Sequence, residues 1–222
     1  KLIRCAKDNG ADAVKLQTYT ADTMTIKSNK KYFKIKNGLW KGYTLWDLYN
    51  EAHTPLKWHK ELFNYGKRIG ITVFSSPFDE TAVDFLEKLN CPIYKVASFE
   101  MTDIPLVKKI ALTKKPMIIS TGMANMDIVK NAYNLVNQHN NQIAILQCTS
   151  TYPSKFEEIH LNVINTYKTD FPDAIIGYSG HELGIAIPPV AVALGARIIE
   201  RHFTLDRTMK GGDHAASLEP VG

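Results

Sequence analysis

Lys15 and Lys95 stand inside otherwise apolar runs, Ala13–Thr18 (AVKLQT) and Pro92–Val96 (PIYKV). A lysine in that setting is a fixed point charge. Combined with hydroxyls and backbone N–H groups, it makes a site for an oxyanion or a phosphate. Hydroxyls stand at the ends of similar runs: Ser76 in Ser75-Ser76-Pro77, Ser98 in Lys95-Val96-Ala97-Ser98, Ser120 in Ser120-Thr121-Gly122, Ser150 in Cys148-Thr149-Ser150, and Ser179 in Ser179-Gly180-His181. A lysine at such a position can also form a Schiff base, and the residues leave that alternative open. His181 and His202 close two successive apolar runs. Neighbouring strands lie about 4.8 Å apart, so both imidazoles could reach one divalent ion that keeps open positions. Glu200 could then be a hydrogen-bonding partner of such a ligand, and Asp213, on the loop Gly211-Gly212-Asp213-His214, could face the same cavity.

The elements that must position these groups alternate. Short β-rich runs are expected at 13–18, 72–75, 92–96, 116–120, 143–147, 174–178 and 196–202. Helical patterns are expected at 55–69, 80–89, 103–112, 126–138, 160–169 and 185–194, with Leu56, His59, Leu62 and Phe63 on one face of the first. A long polar and aromatic segment fills the interval from 19 to about 54. Alternating strands and helices imply parallel βαβ units, and short apolar strands imply a sheet covered on both faces. The chain opens on a helical pattern (Lys1 to Lys7), which predicts a strand before it. Seven strands plus one make the eight of a (β/α)₈ TIM barrel, here a single domain over 1–222 lacking its first strand, with an open seven-stranded sheet as the rival. Function in such barrels collects at the C-terminal strand ends, where all seven runs carry hydroxyl, cationic or imidazole groups. Period-two alternation puts Lys15 with Gln17, Ser179 with His181 and Glu200 with His202 on shared faces. Lys95 and Ser98 are out of phase and converge only if the strand ends near Val96.

Composition narrows the class. The chain has 222 residues, a formal charge of +5 and 22% charged residues, a balance that suits a lysine-rich solvated surface. Lysines cluster between Lys27 and Lys41 beside Tyr32, Phe33 and Trp40, without any nucleic-acid-binding module. No Gly-x-Gly-x-x-Gly opens a helix, which disfavours dinucleotide binding, and no run of about 18 apolar residues is present to span a membrane. Cys5, Cys91 and Cys148 fit no metal spacing and are expected as reduced thiols of a cytoplasmic protein. His53, His59, His139 and His160 are expected to be structural or on the surface. Trp40, Trp46 and Trp58 are expected to pack rather than to stack on substrate.

In order along nearly the whole chain, the strand-end runs resemble the sialic acid synthase family. These runs are Val14-Lys15-Leu16-Gln17-Thr18, Ser75-Ser76-Pro77-Phe78-Asp79, Tyr94-Lys95-Val96-Ala97-Ser98-Phe99-Glu100, Ile119-Ser120-Thr121-Gly122-Met123, Cys148-Thr149-Ser150-Thr151-Tyr152-Pro153 and Glu200-Arg201-His202-Phe203-Thr204. Leu48-Tyr49-Asn50-Glu51-Ala52-His53-Thr54-Pro55, Trp58-His59 and Phe99 resemble the branch that makes pseudaminic acid. The resemblance implies a transferase that joins phosphoenolpyruvate to an acetamido sugar, with 2,4-diacetamido-2,4,6-trideoxy-altrose, or else the sugars of neuraminate or legionaminate synthesis, as substrate. It implies phosphoenolpyruvate contacts from Lys15, Ser76, Lys95, Ser98, Ser120, Ser150 and Ser179. Sugar contacts are implied for Gln17, Glu100, Tyr152 and Asp213, and manganese or magnesium ligation for His181 and His202. Glu100, Lys95 and His202 are the implied catalytic groups. The full-length protein would be a homodimer with no nucleic-acid or membrane partner. Three departures stand out. Gly180 occupies a position where the family usually has Asp, and the family's C-terminal antifreeze-like domain and first-strand glutamate have no counterpart here. A Schiff-base aldolase using Lys95 and a non-catalytic sugar-binding remnant are the other readings.

Overall fold

The computed structural model describes residues Lys1–Gly222. Helix α1 (Leu2–Asp8) leads into strand β1 (Ala13–Thr18). The interval that follows contains α2 (Ala21–Met24), a 3₁₀ turn over Lys31–Phe33, and α3 (Leu45–Ala52). From there strand and helix alternate: α4 (Leu56–Ile69), β2 (Thr72–Pro77), α5 (Glu80–Lys88), β3 (Tyr94–Val96), α6 (Ile104–Leu112), β4 (Met117–Ser120), α7 (Met126–Asn137), β5 (Ile143–Cys148), α8 (Val163–Asp170), β6 (Ile175–Gly180), α9 (Ile187–Ala193) and β7 (Ile198–Arg201).

All seven strands form one parallel sheet in the order β1-β2-β3-β4-β5-β6-β7. The eight-stranded closed barrel is therefore represented by a curled seven-stranded sheet, with β1 paired only to β2 and β7 only to β6. The curl is deep enough to bring the two edges together on the inner side: Lys15 Nζ of β1 lies 2.9 Å from Glu200 Oε1 of β7. Burial follows the same plan. The central strands β4 and β5 are buried at every position, whereas β1 and β7 are mostly half-buried.

The helices present apolar stripes to the outer face of the sheet. Leu86 of α5, Leu106 and Ile110 of α6, Val136 of α7 and Ile164 of α8 are fully buried with Leu146 of β5 and Tyr94 of β3. The helices that follow β2, β3 and β4 begin with acidic or amide caps. Asp79 accepts from the Thr81 and Ala82 amides, Asp103 from Leu106 and Asn125 from Ile128. These caps fix where α5, α6 and α7 start after their strand ends.

The 19–54 interval is not the single loop that its composition suggests. Thr20 with Thr23 and Thr44 with Asp47 form reciprocal caps that start α2 and α3. Lys27 lies over the Trp46 ring at 3.8 Å, so part of the lysine cluster is held against an aromatic surface. Within α4, His59 and Phe63 are buried as the apolar stripe predicts, but Leu56 and Trp58 are exposed. Trp58 is thus not a packing residue.

Candidate functional site

Because the strands are parallel, their C-terminal ends form one rim, and the polar residues expected there converge on it. Lys95 is the central cation. It is 2% exposed, its amine donates to Val96 O and lies 3.6 Å from Glu200 Oε1. Burial is the main force on this amine and lowers it to about 8, against the upward pull of Glu200. Lys15 donates to the same carboxylate oxygen, as does Ser179 Oγ at 3.3 Å. Burial pushes Glu200 up, but Lys15 and Lys95 outweigh it and hold the carboxyl down to about 2. Glu200 is therefore the counter-ion of the lysine pair rather than a partner of the histidines.

Beside the lysines is a cradle of hydroxyls. β3 ends at Val96 and the chain turns, as convergence of Lys95 and Ser98 requires. The Gly122 amide donates to Ser98 Oγ at 3.0 Å. A Cβ on Gly122 would run into Ser150 Oγ and sit 2.9 Å from Ser98 Oγ, so a side chain here would push both hydroxyls aside. Ser120 Oγ is buried without a hydrogen-bond partner, as is one oxygen of Glu100, whose carboxyl burial raises. Ser120 Oγ at its strand end and the Glu100 carboxyl, which feels the charge of Lys95, are groups that a bound ligand would satisfy. Ser76 is differently employed: its hydroxyl donates to Lys95 O at 2.9 Å and ties β2 to β3. Gln17 is half-buried at the end of β1, level with Ser76 in the sheet register.

His181 and His202 form the third part, with ring centroids 5.3 Å apart. His181 Nδ1 lies 2.7 Å from Thr149 O, a carbonyl that only accepts, so Nδ1 carries a proton and Nε2 is the nitrogen left for a ligand. Burial is the largest influence on His202 and lowers it to about 4, with Asp213 pulling the other way from 3.7 Å, so its ring is neutral at neutral pH. Tyr152 covers the pair, with its ring centroid 4.0 Å from that of His181 and 5.7 Å from that of His202. No group of three or more His, Cys, Asp or Glu side chains gathers around a common centre. Two facing imidazoles, one with its Nδ1 tied to a backbone carbonyl, nevertheless suit a divalent ion that takes its other ligands from water or substrate.

A cavity of about 690 Å³ adjoins the cradle, lined by Thr121, Ser150, Glu158, His160 and Tyr167 among others; the two lysines and the two metal-type histidines lie outside it. Of the remaining histidines, His59 is fully buried, with Nε2 2.9 Å from Thr18 Oγ1 and its ring against Phe85, a structural role as expected. Cys5, Cys91 and Cys148 are free thiols.

Sequence reasoning missed Gly122 as a site residue, although its position directly after Ser120-Thr121 at a strand end was a signal. It also missed Glu182 and Arg201. The space where a side chain at 180 would lie is filled: a Cβ there would be 2.5 Å from Glu182 Oε2 and 2.6 Å from Tyr178 Cε1. This is the physical reason for glycine at that position.

Fold and site together define a parallel α/β protein that gathers a lysine and hydroxyl cradle and an imidazole pair at its strand ends. The chain belongs to the NeuB family, whose model matches residues 2–222. It is 43% identical to a pseudaminic acid synthase of Campylobacter jejuni over 220 residues, covering 99% of this chain and 64% of that protein. It is 44% identical to the N-acetylneuraminate-9-phosphate synthase of Mus musculus over 224 residues, covering 99% of this chain and 61% of that protein. The chain thus spans less than two thirds of the length of these relatives. The crystal structure of an N-acetylneuraminic acid synthetase from Leptospira borgpetersenii, in complex with citrate, superposes with a TM-score of 0.88 at 31% identity, covering 99% of this chain and 72% of that one.

Proposed function

We propose that this chain is the catalytic part of a synthase that condenses phosphoenolpyruvate with an amino sugar and water to give a nonulosonic acid and phosphate. Pseudaminic acid, from 2,4-diacetamido-2,4,6-trideoxy-altrose, is the product we favour, because the runs around Glu51 and Phe99 resemble that branch and pseudaminic acid synthases are among the similar proteins. The observation that carries the reading is the adjacency of a paired-lysine, triple-hydroxyl cradle to two facing imidazoles at one rim.

In this reading Lys15, Lys95, Ser98, Ser120, Ser150 and Ser179 hold the phosphate and carboxylate of phosphoenolpyruvate, with Ser76 fixing the strand that carries Lys95. Their contribution is positioning and charge neutralisation. The sugar's aldehyde carbon is attacked by C3 of phosphoenolpyruvate, forming the new C–C bond. Water adds at C2, and phosphate leaves by C–O cleavage. His181 and His202 would hold manganese or magnesium, which supplies Lewis-acid polarisation of the aldehyde oxygen. Gln17, Tyr152 and Asp213 bind sugar groups. Glu100, its carboxyl raised by burial, relays a proton or orients a sugar hydroxyl.

The test is phosphate release from phosphoenolpyruvate across a panel of 2-acetamido and 2,4-diacetamido sugars, with and without manganese. Release only with the altro-configured 2,4-diacetamido sugar supports the favoured product, and release with a 2,4-diacetamido sugar of another configuration moves the assignment to legionaminate synthesis. Release with N-acetylmannosamine moves the assignment to neuraminate synthesis, and sugar binding without any release leaves a binding remnant. A second reading, a Schiff-base aldolase, is favoured by one observation: Lys95 is buried and lowered to about 8. Borohydride trapping of Lys95 with a keto acid, independent of manganese, would establish it instead.

A further inference from the structure

Behind the two histidines, on the opposite face of β6 and β7, lies a buried polar cluster that the chemistry above does not use. Glu182 is fully buried and Arg201 nearly so, with side-chain exposures of 0% and 5%. Arg201 Nη1 donates to Glu182 Oε1 at 2.7 Å and to Gly184 O at 3.1 Å, and Nη2 donates to Glu182 O at 2.6 Å. Tyr178 Oη donates to the other carboxylate oxygen at 2.7 Å. Gly180 and Arg201 are register partners across the two strands. One guanidinium thus grips both the side chain and the backbone of the segment that follows His181, and it belongs to the residue immediately before His202. On the other side, the Ser154 amide donates to His181 O at 3.0 Å.

A buried ion pair is a poor source of net stability, because two desolvated charges recover little more than they lost. It is, however, a stiff and directional link. Residues on alternate positions point to opposite faces, so Arg201 and Glu182 cannot touch a ligand held by His181 and His202, but they fix the backbone from which both rings project.

We propose that Glu182 and Arg201 are positioning residues for the His181–His202 pair, setting the separation and orientation of the two imidazoles for a divalent cation. Gly180 belongs to the same device, because any side chain there drives into the carboxylate that Arg201 grips. The inference rests on the reading of the histidine pair as the metal corner.

The experiment is titration of the metal-free protein with manganese, followed by calorimetry or by the electron paramagnetic resonance of free ion, with inorganic phosphate titrated separately as a probe of the cradle. Glu182→Ala and Gly180→Ala are expected to weaken manganese binding by about 10- to 100-fold, the usual effect of losing a group that orients a ligand. Phosphate affinity should stay unchanged in both, which a general loss of structure would not allow. Should Glu182→Ala fail to fold, Glu182→Gln keeps the shape and removes the charge, and Arg201→Lys removes the fork. Each should then weaken manganese binding while phosphate still binds. If His181→Ala abolishes manganese binding while the Glu182, Gly180 and Arg201 variants bind it like the parent, the positioning role is overturned and the synthase reading stands. If the His181→Ala/His202→Ala double variant still binds manganese with the parent's affinity, the metal corner itself is wrong and this inference falls with it.

Discussion

Glu200→Gln is the substitution whose consequences are most fully set by the geometry. It keeps the volume of the side chain and removes the charge that faces Lys15 at 2.9 Å and Lys95 at 3.6 Å. The carboxyl is held at about 2 against an ordinary 4.5. At 1.36 kcal/mol per pH unit, that difference is worth about 3 kcal/mol of folding stability. The contribution is fully present above pH 4.5 and is lost as pH falls toward 2, because the unfolded chain takes up the proton first. Lys95 acts in the opposite sense. Its amine is lowered from 10.5 to about 8, so burying the ammonium costs stability below pH 8, and the cost is relieved as pH rises toward 10.5. Removing Glu200 takes away the upward pull on Lys95, whose value should then fall below 8. The expected result at pH 7 is a loss of about 3 kcal/mol, which for a chain of this size is a drop in Tm of roughly 6–12 °C. Thermal denaturation between pH 3 and pH 8 should show the gap between parent and variant closing on the acid side. Inorganic phosphate should raise the Tm of the variant more than that of the parent, since an anion in the cradle replaces the missing counter-charge. A variant as stable as the parent at pH 7, or one that phosphate stabilises less than it does the parent, would refute the assignment of Glu200 as the resident counter-ion.

Two other substitutions separate the cradle from its support. Gly122→Ala should cost about tenfold or more in phosphate affinity by calorimetry, because the added methyl displaces Ser150 Oγ and breaks the approach to Ser98 Oγ; unchanged affinity would show that these hydroxyls do not bind the anion. His59→Ala should lower stability by about 3 kcal/mol in urea, through a cavity and the loss of the bond to Thr18, while leaving phosphate affinity intact. An affinity loss larger than the stability loss would place His59 in the site after all.

The expected strands each lie within a few residues of the observed ones because parallel-sheet strands are buried on both faces and read as short apolar runs between helical stripes. The interval 19–54 was harder to read. Its helices are short, and their start signal is the spacing of Thr44 and Asp47 rather than any apolar period. Gly122 and Gly180 could be seen as residues but not as requirements, since what a Cβ would strike comes from side chains of other strands.

Which residues stand at strand ends and which share a face can be read along the chain, because the two-residue alternation of a strand is a local property. That sufficed for the pairing of Lys15 with Gln17 and of Glu200 with His202, and for the need of a turn after Val96. How these local ends meet depends on the assembled sheet. Sheet curvature brings β1 to β7, so that Glu200, adjacent in sequence to nothing basic but Arg201, becomes the anion between Lys15 and Lys95. The same curvature leaves His181 and His202 to face each other and Glu182 to face Arg201 behind them. Distances across a sheet depend on its twist and closure, which are collective properties of all the packed strands and helices, and no short run of residues encodes them.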